Sequence, residues 1–390
     1  MTRSLTLIGS GMAGFGLARA LRRLQPERPI TLITADSGDD YSKPLLSTGF
    51  AKGLAPEALA ADSALDAAER LNLVMRPRTR VDALDPVARE LHIGAERLPF
   101  DDLVLATGAA PQPPFAIDAT LAGRVFTIND LDDYRAFHAA LTALGRPARV
   151  AVIGAGLVGC EYANDLVAGG HAVAMIAPER APLARLLPEP LGRVLGRVLG
   201  AALAGAGVEL HLGRGVGELG LDGGDLSVAL DDGHVLDADL VLVATGLVPR
   251  TELAAAAGLA VSEAGIQVDR CLRTAVEGIH ALGDVACVDG VNAMYVQPLQ
   301  AGARALAATL AGTPTAVRYG PWPVLVKTPC CPVVALPPRV TPARWRIEGE
   351  GDDLAALAED DRGRLLGFAL TGRCVRRKVE LARAAPPLLI

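Results

Sequence analysis

Short runs of apolar, largely β-branched residues alternate with longer amphipathic stretches over most of this chain, the pattern of strands and helices built around a parallel sheet. A strand at residues 4–9, Leu5-Thr-Leu-Ile8 at its centre, runs into Gly9, Gly11 and Gly14. A helix is predicted from about Ala13 to Leu24, then a turn at Gln25–Pro29 and a second strand at 30–34. The same succession returns later: a strand at 149–154 running into Gly154, Gly156 and Gly159, a helix to about Ala168, a Gly169-Gly170 turn and a strand over Ala172–Ala177. Two further apolar strands, 103–106 and 240–244, each close on a Thr-Gly pair, Thr107-Gly108 and Thr245-Gly246. Another apolar strand ends in Gly283-Asp284, and Pro298 is predicted at the first position of an Ala-rich helix that ends near Leu310.

Composition narrows the setting. Half of the chain is apolar, 51%, yet no run approaches the ~18 residues of a membrane span, so no membrane insertion is expected. Arg3 followed by an apolar run faintly resembles a signal peptide, but Gly9, Gly11, Gly14 and Gly16 break that run and a cytoplasmic location is the default. Six scattered cysteines have neither metal-ligand nor disulfide-framework spacing, so no metal is expected. The formal charge of −6 argues against nucleic acid as a partner. That charge is uneven: Arg318–Ile390 carries 12 Lys/Arg against 8 Asp/Glu, whereas the residues before it carry 26 against 36. The basic end, with Arg373, Arg376, Arg377 and Lys378, reads equally as a solvated face or as a dock for a small acidic protein.

The repeated Gly-x-Gly-x-x-Gly is a dinucleotide-binding fingerprint in full strand–turn–helix–strand context, twice. The first glycine makes the tight turn, the second lets the backbone approach a pyrophosphate, and the third lets helix and strand pack closely, with the phosphates at the positive helix end. Two fingerprints imply two nucleotides, most economically a bound FAD and a visiting nicotinamide coenzyme. The acidic ribose ligand is displaced in both units: Thr34 and Ala177 stand where it is expected, with Asp36 and Glu179 two residues further on. Asp36 reads as a ribose ligand or as a turn residue. Glu179 favours NADH, but Arg180 beside it is of the type that accepts a 2′-phosphate, so NADPH is not excluded. The expected fold is α/β, two Rossmann-like domains with a small α+β C-terminal domain. Residues 1–112 and 248–320 form the discontinuous FAD domain, 113–247 the NAD domain and 321–390 the third.

These landmarks, together with Tyr41-Ser-Lys43-Pro44-Leu-Leu-Ser47, Gly159-Cys-Glu161-Tyr-Ala-Asn-Asp165, Tyr295-Val296-Gln-Pro298-Leu299 and Val326-Lys327-Thr-Pro329, resemble the two-dinucleotide flavoprotein reductases of the glutathione-reductase superfamily. Within it the chain is most similar to the rubredoxin–NAD reductases, over essentially its whole length, and next to their flavorubredoxin-reducing relatives. The resemblance implies FAD contacts at Gly11, Met12, Ala13, Gly14, Thr34, Ala35, Lys43, Val81, Glu161, Asp284, Val296 and Lys327. Pro44, Thr107, Gly108 and Gly246 join the cofactor-binding set, with Gly9, Gly154, Gly156, Gly159, Asp36 and Glu179 from the fingerprints. His280 departs from the superfamily, which often has Tyr there.

Disulfide reductases carry Cys-x-x-x-x-Cys where this chain has Tyr41–Ser47, so electrons cannot leave through a dithiol on that face. Cys330 and Cys331 are expected as buried thiols. Lys43 and Glu161, one from each nucleotide domain, are expected to pair beside the flavin as the catalytic residues. Asp284 reads as a ligand for FAD ribityl hydroxyls or as a helix cap, Lys327 as a second cation at the flavin or an exposed lysine, and Tyr295 as a core residue. The function implied is NADH:rubredoxin oxidoreductase: hydride from NADH to FAD, then single electrons to rubredoxin or a similar small acidic iron protein. The alternatives are a flavorubredoxin or ferredoxin reductase, an NADH oxidase, or a flavin-based NAD(H)-sensing protein. The short C-terminal segment favours a monomer.

Overall fold

The structure, a computed structural model, describes residues 3–222 and 225–390. Two five-stranded parallel sheets repeat one strand order. The first runs Ile279–Ala281, Asp102–Leu105, Leu5–Ile8, Ile30–Ile33, Val74–Arg76. The second runs Val125–Phe126, Leu240–Val243, Arg149–Ile153, Ala172–Ala177, Val208–Leu212. Each central strand carries a fingerprint, so each glycine loop opens where the strand order reverses, the place where open α/β sheets bind ligands.

The strands form here because they are covered on both faces. Leu5–Ile8, Asp102–Leu105 and Leu240–Val243 are buried along their whole length, which is why, Thr6 and Asp102 apart, they read as apolar runs rather than as alternating ones. Each buried Leu or Val contributes about 1.5–3 kcal/mol. The helix Met12–Leu24 packs on Val296–Leu310, with Gly16 facing Ala303 at their contact. The second of these helices starts two residues earlier than expected. Val296 is its first residue and Pro298 its third, which costs nothing because the first-turn N–H groups have no helical partner.

The first unit is interrupted by the second, and both crossings lie side by side. Ala109–Pro111 leaves and Leu247–Pro249 returns as a two-stranded antiparallel ribbon. Thr107 and Thr245, the repeated threonines of the Thr-Gly pairs, fasten this ribbon by donating to the carbonyls of Arg250 and Gln112 at 3.0 and 2.8 Å.

The C-terminal part is a five-stranded antiparallel sheet in the order 324–326, 333–336, 365–371, 353–359, 344–350, covered by the helix Lys378–Ala384. One face packs on that helix through Leu381; the other shares a core with the second nucleotide unit through Val326, Val333, Ala335 and Ala356. The tail then turns back, Leu389 pairing with Tyr319 and packing into the core of the first unit. Among the described residues no helix is long and apolar enough to cross a membrane.

Candidate functional site

The two glycine loops have the same geometry. Gly9 and Gly154 have φ of +113° and +112°, and a Cβ on them would stand 2.2 and 2.5 Å from the carbonyl oxygens of Ala106 and Ala244. A Cβ on Gly14 or Gly159 would stand 2.0 or 1.9 Å from the carbonyl of Gly9 or Gly154. Only glycine fits any of these four positions. Gly11 and Gly156 differ: nothing lies within 4 Å of a Cβ built on either. Nothing in the protein's own packing requires glycine there, so the demand comes from what approaches the loop. Both cap their helices in extended backbone without any side-chain cap, and neither first turn holds an acidic residue. The first-turn N–H groups and positive helix ends are therefore left for an anionic ligand.

Both loops open into one cavity of about 1780 Å³, well above the ~300–1,000 Å³ of a single-ligand pocket. It is large enough for two dinucleotides. Every site residue expected from sequence lines it except Gly14 and Gly159, the two glycines that serve helix–strand packing instead. Thr34, Ala35, Asp36 and Val81 lie on the side of the first loop, Glu179 and Gly246 on that of the second, and Lys43, Pro44, Glu161, Asp284, Val296 and Lys327 are contributed from the elements between.

The expected Lys43–Glu161 pair does not form. The Lys43 ammonium donates to Asn129 Oδ1 at 2.6 Å, and Asp284 is the carboxylate that acts on it most strongly. Burial pulls the Lys43 pKa down while the Asp284 carboxylate pulls it up; Asp284 is raised by burial and lowered by Lys43. Glu161, 1% exposed, is paired with Lys327 at 2.7 Å. It also accepts from Ser47 Oγ at 2.5 Å and from the Lys327 backbone N–H at 2.9 Å. The reason is reach. Lys327 approaches along its strand with its own N–H already on Glu161, and its ammonium also meets Ser47 Oγ at 2.8 Å and the Pro44 carbonyl. Lys43 starts at the other side of the short helix Lys43–Thr48 and meets the loop before the helix Leu131–Ala143.

Of the readings left open, Lys327 is a paired cation at the cavity, not a solvent-exposed lysine. Asp284 lies inside a short 3₁₀ turn whose cap is Leu282, and so caps nothing. Asp36 takes a turn role, accepting from the Gly38 N–H at 2.9 Å, and also from Ser10 and Thr34 hydroxyls at 2.8 and 2.7 Å. Tyr295 is not a core residue but 45% exposed. Cys330 is exposed rather than buried, and Cys331, though buried as expected, is a free thiol with its pKa raised to about 11 by desolvation. Arg373 and Arg377 are already paired, with Asp353 and Glu348, leaving Arg376 and Lys378 as exposed charges of the basic turn.

Several functional positions escaped the sequence reading. Asn129 holds Lys43 while donating to the Ala109 carbonyl at 3.0 Å, and Asp165 clamps the Lys43 segment by accepting from the Phe50 and Ala51 N–H groups at 2.9 and 3.1 Å. Ser10, the first variable residue of the fingerprint, links the loop to Thr34 and Asp36. Its place inside the motif was the available signal; nothing local marks Asn129.

Residues 3–313 match the pyridine nucleotide-disulphide oxidoreductase family. The chain belongs to that family. It is thus an FAD-dependent NAD(P)H oxidoreductase. Residues 316–385 match the rubredoxin binding C-terminal domain. The chain is similar to a rubredoxin-NAD(+) reductase of Alcanivorax borkumensis, 42% identical over 99% of both chains. It is similar also to a nitric oxide reductase FlRd-NAD(+) reductase of Aeromonas hydrophila, 38% identical over 99% of this chain and 97% of the other. Among solved structures it resembles the reductase in a covalent putidaredoxin reductase–putidaredoxin complex, with a TM-score of 0.87 and 25% identity over 98% of this chain and 94% of that one.

Proposed function

We propose that this protein is an NADH:rubredoxin oxidoreductase, with FAD held at the first fingerprint and NADH at the second. The observation that carries the reading is the joining of both glycine loops by one cavity whose wall includes Val324, Leu325 and Lys327 of the segment that matches the rubredoxin binding domain. When bound, FAD supplies the capacity to accept a hydride from a nicotinamide and to give up electrons one at a time. The chain's own work is positioning and electrostatics. Gly11 and Gly156 let two pyrophosphates reach bare helix ends. Asn129 holds the half-buried Lys43 with Asp284 as its strongest opposing charge, and Glu161 with Ser47 fixes a second lysine, Lys327.

The exit for electrons lies outside the chain, because Tyr41–Ser47 holds no cysteine and Cys330 and Cys331, the cysteines nearest Lys327 along the chain, are free thiols that do not line the cavity. Tyr295 and Leu325 stand exposed in the cavity wall and Leu45 is exposed next to Pro44 of that wall, apolar contacts offered to a small iron protein. A reducing, cytoplasmic setting suits six free cysteines. Likeness to flavorubredoxin-reducing relatives supports a second reading in which the rubredoxin-like centre belongs to a larger partner. Stopped-flow spectroscopy of the holoenzyme decides. Mixed with NADH, its flavin bleaches in the dead time to milliseconds, then recolours on mixing with oxidised rubredoxin at a rate far above that with O₂. Recolouring no faster with rubredoxin than with O₂ overturns the reading.

A further inference from the structure

The second nucleotide loop has three arginines within reach, and the fold treats them differently. Arg185 lies toward Gly246, its Nη1 3.6 Å from where a Cβ on that glycine would stand, on the Leu240–Val243 side of the fingerprint strand. Arg180 is exposed, packs its stem by Gly213 and does not line the cavity. Arg214 stands on the other side of the fingerprint strand from Arg185, just past strand Val208–Leu212. Its backbone N–H donates to the Ala177 carbonyl at 3.0 Å, while the neighbouring Gly213 N–H donates to that of Glu179 at 2.9 Å. Arg214 is thereby fixed at the end of the strand where such folds read the coenzyme's ribose, and it lines the cavity together with Glu179.

That placement suits a guanidinium for a 2′-phosphate, yet the guanidinium is spoken for. Arg214 Nη1 pairs with Asp232 Oδ2 at 2.5 Å. Asp232 sits in the turn between strands Asp225–Leu230 and Val235–Ala238, where its other oxygen accepts from the His234 N–H at 3.1 Å. We propose that Asp232 sets coenzyme choice: by engaging Arg214 it withholds from a 2′-phosphate the arginine that the fold presents to it, and so keeps the site selective for the non-phosphorylated coenzyme. Glu179 is the first barrier, by repelling a 2′-phosphate directly; Asp232 is the second, by neutralising its natural partner. The inference rests on the second loop being the nicotinamide site.

Asp232→Asn tests it, since the amide keeps the carbonyl oxygen for His234 while giving up the charge. The ratio of kcat/KM for NADPH over NADH rises at least fivefold in the holoenzyme. Binding of the probe 2′,5′-ADP, followed by calorimetry on oxidised holoenzyme, tightens by a similar factor, whereas that of 5′-ADP stays within twofold. In a Glu179→Gln background, where the first barrier is gone, the same substitution raises the ratio again by at least threefold. Adding Arg214→Ala to either variant cancels the gain. An unchanged ratio in both backgrounds, or a gain that survives the loss of Arg214, overturns the proposal. A holoenzyme that oxidises neither coenzyme fails the nicotinamide reading instead.

Discussion

Glu161 sits among the apolar residues of the second unit's helix, and its ionised form needs every bond it has. Ser47 comes from the first unit and Lys327 from the third, so one buried carboxylate joins all three parts of the chain. Removing one member of such a pair leaves a desolvated charge with its hydrogen bonds but without its counter-ion, which costs far more than the pair itself contributes. Lys327→Met is therefore expected to lower the stability of the FAD-saturated protein by about 3 kcal/mol, read as a fall in urea midpoint at constant m-value. Adding Glu161→Gln recovers part of that loss by neutralising the orphan. A neutral Lys327→Met would show that the Glu161 side chain does not depend on its lysine.

At the scale of elements, what the sequence makes legible is what local contact demands. The clash between a Cβ on Gly9 and the Ala106 carbonyl, or between one on Gly14 and the carbonyl of Gly9, is a requirement of one βαβ unit, so it leaves a fixed spacing that can be read. The pairings of Lys43, Glu161 and Lys327 are settled by how far side chains reach between parts separated by well over a hundred residues, as the Lys327-to-Glu161 bond is. Spacing holds no record of that, and the pair expected from Lys43 and Glu161 is the one that failed. The two kinds of glycine separate in the same way by experiment. Gly156→Val, with open space around its Cβ and φ of −75°, is expected to fold, retain FAD and raise KM for NADH more than tenfold. Gly154→Val, strained at φ +112° against Ala244, is expected to give no folded protein. Equal NADH affinity in Gly156→Val would place the coenzyme away from the second loop.

A second element-scale device closes the far end of the second sheet. Asp239, just before strand Leu240–Val243, accepts from both terminal nitrogens of Arg146 at 2.8 and 2.9 Å and from the Arg149 N–H and guanidinium at 2.8 and 3.1 Å. The Arg146 bonds above all hold its pKa far below the usual carboxylate range. A depressed native pKa adds stability that is complete above the unfolded value of about 3.9 and is lost as pH falls through it toward the native value. Asp239→Asn should thus cost about 2 kcal/mol at neutral pH. The gap from the parent protein should stay constant down to about pH 5 and narrow below it. A gap that does not depend on pH would mean that Asp239 acts by packing alone.

For the molecule as a whole, the third domain gives the nucleotide pair a direction. It shares a core with the second unit, sends Lys327 into the cavity and returns its tail to the first unit, so it is anchored to both units that carry the glycine loops. The basic turn Gly372–Arg377 rests on the same segment, the Gly372 N–H donating to the Pro332 carbonyl at 3.1 Å. The net positive end seen in the sequence is thinner in the fold, because Arg373 and Arg377 spend their charge on Asp353 and Glu348. In the proposed reading, steering of an acidic iron protein falls to Arg376 and Lys378, which are exposed, and contact to the exposed Leu45, Tyr295 and Leu325. Charges of that kind act on encounter more than on the bound state and are screened beyond about 8 Å at physiological salt and about 3 Å at 1 M. The double variant Arg376→Glu/Lys378→Glu is expected to raise KM for rubredoxin several-fold at low salt, with NADH-dependent bleaching of the flavin unchanged. The two KM values should converge as salt approaches 1 M. If the double variant matches the parent at low salt, the basic turn is a solvated face and docking rests on the apolar residues alone.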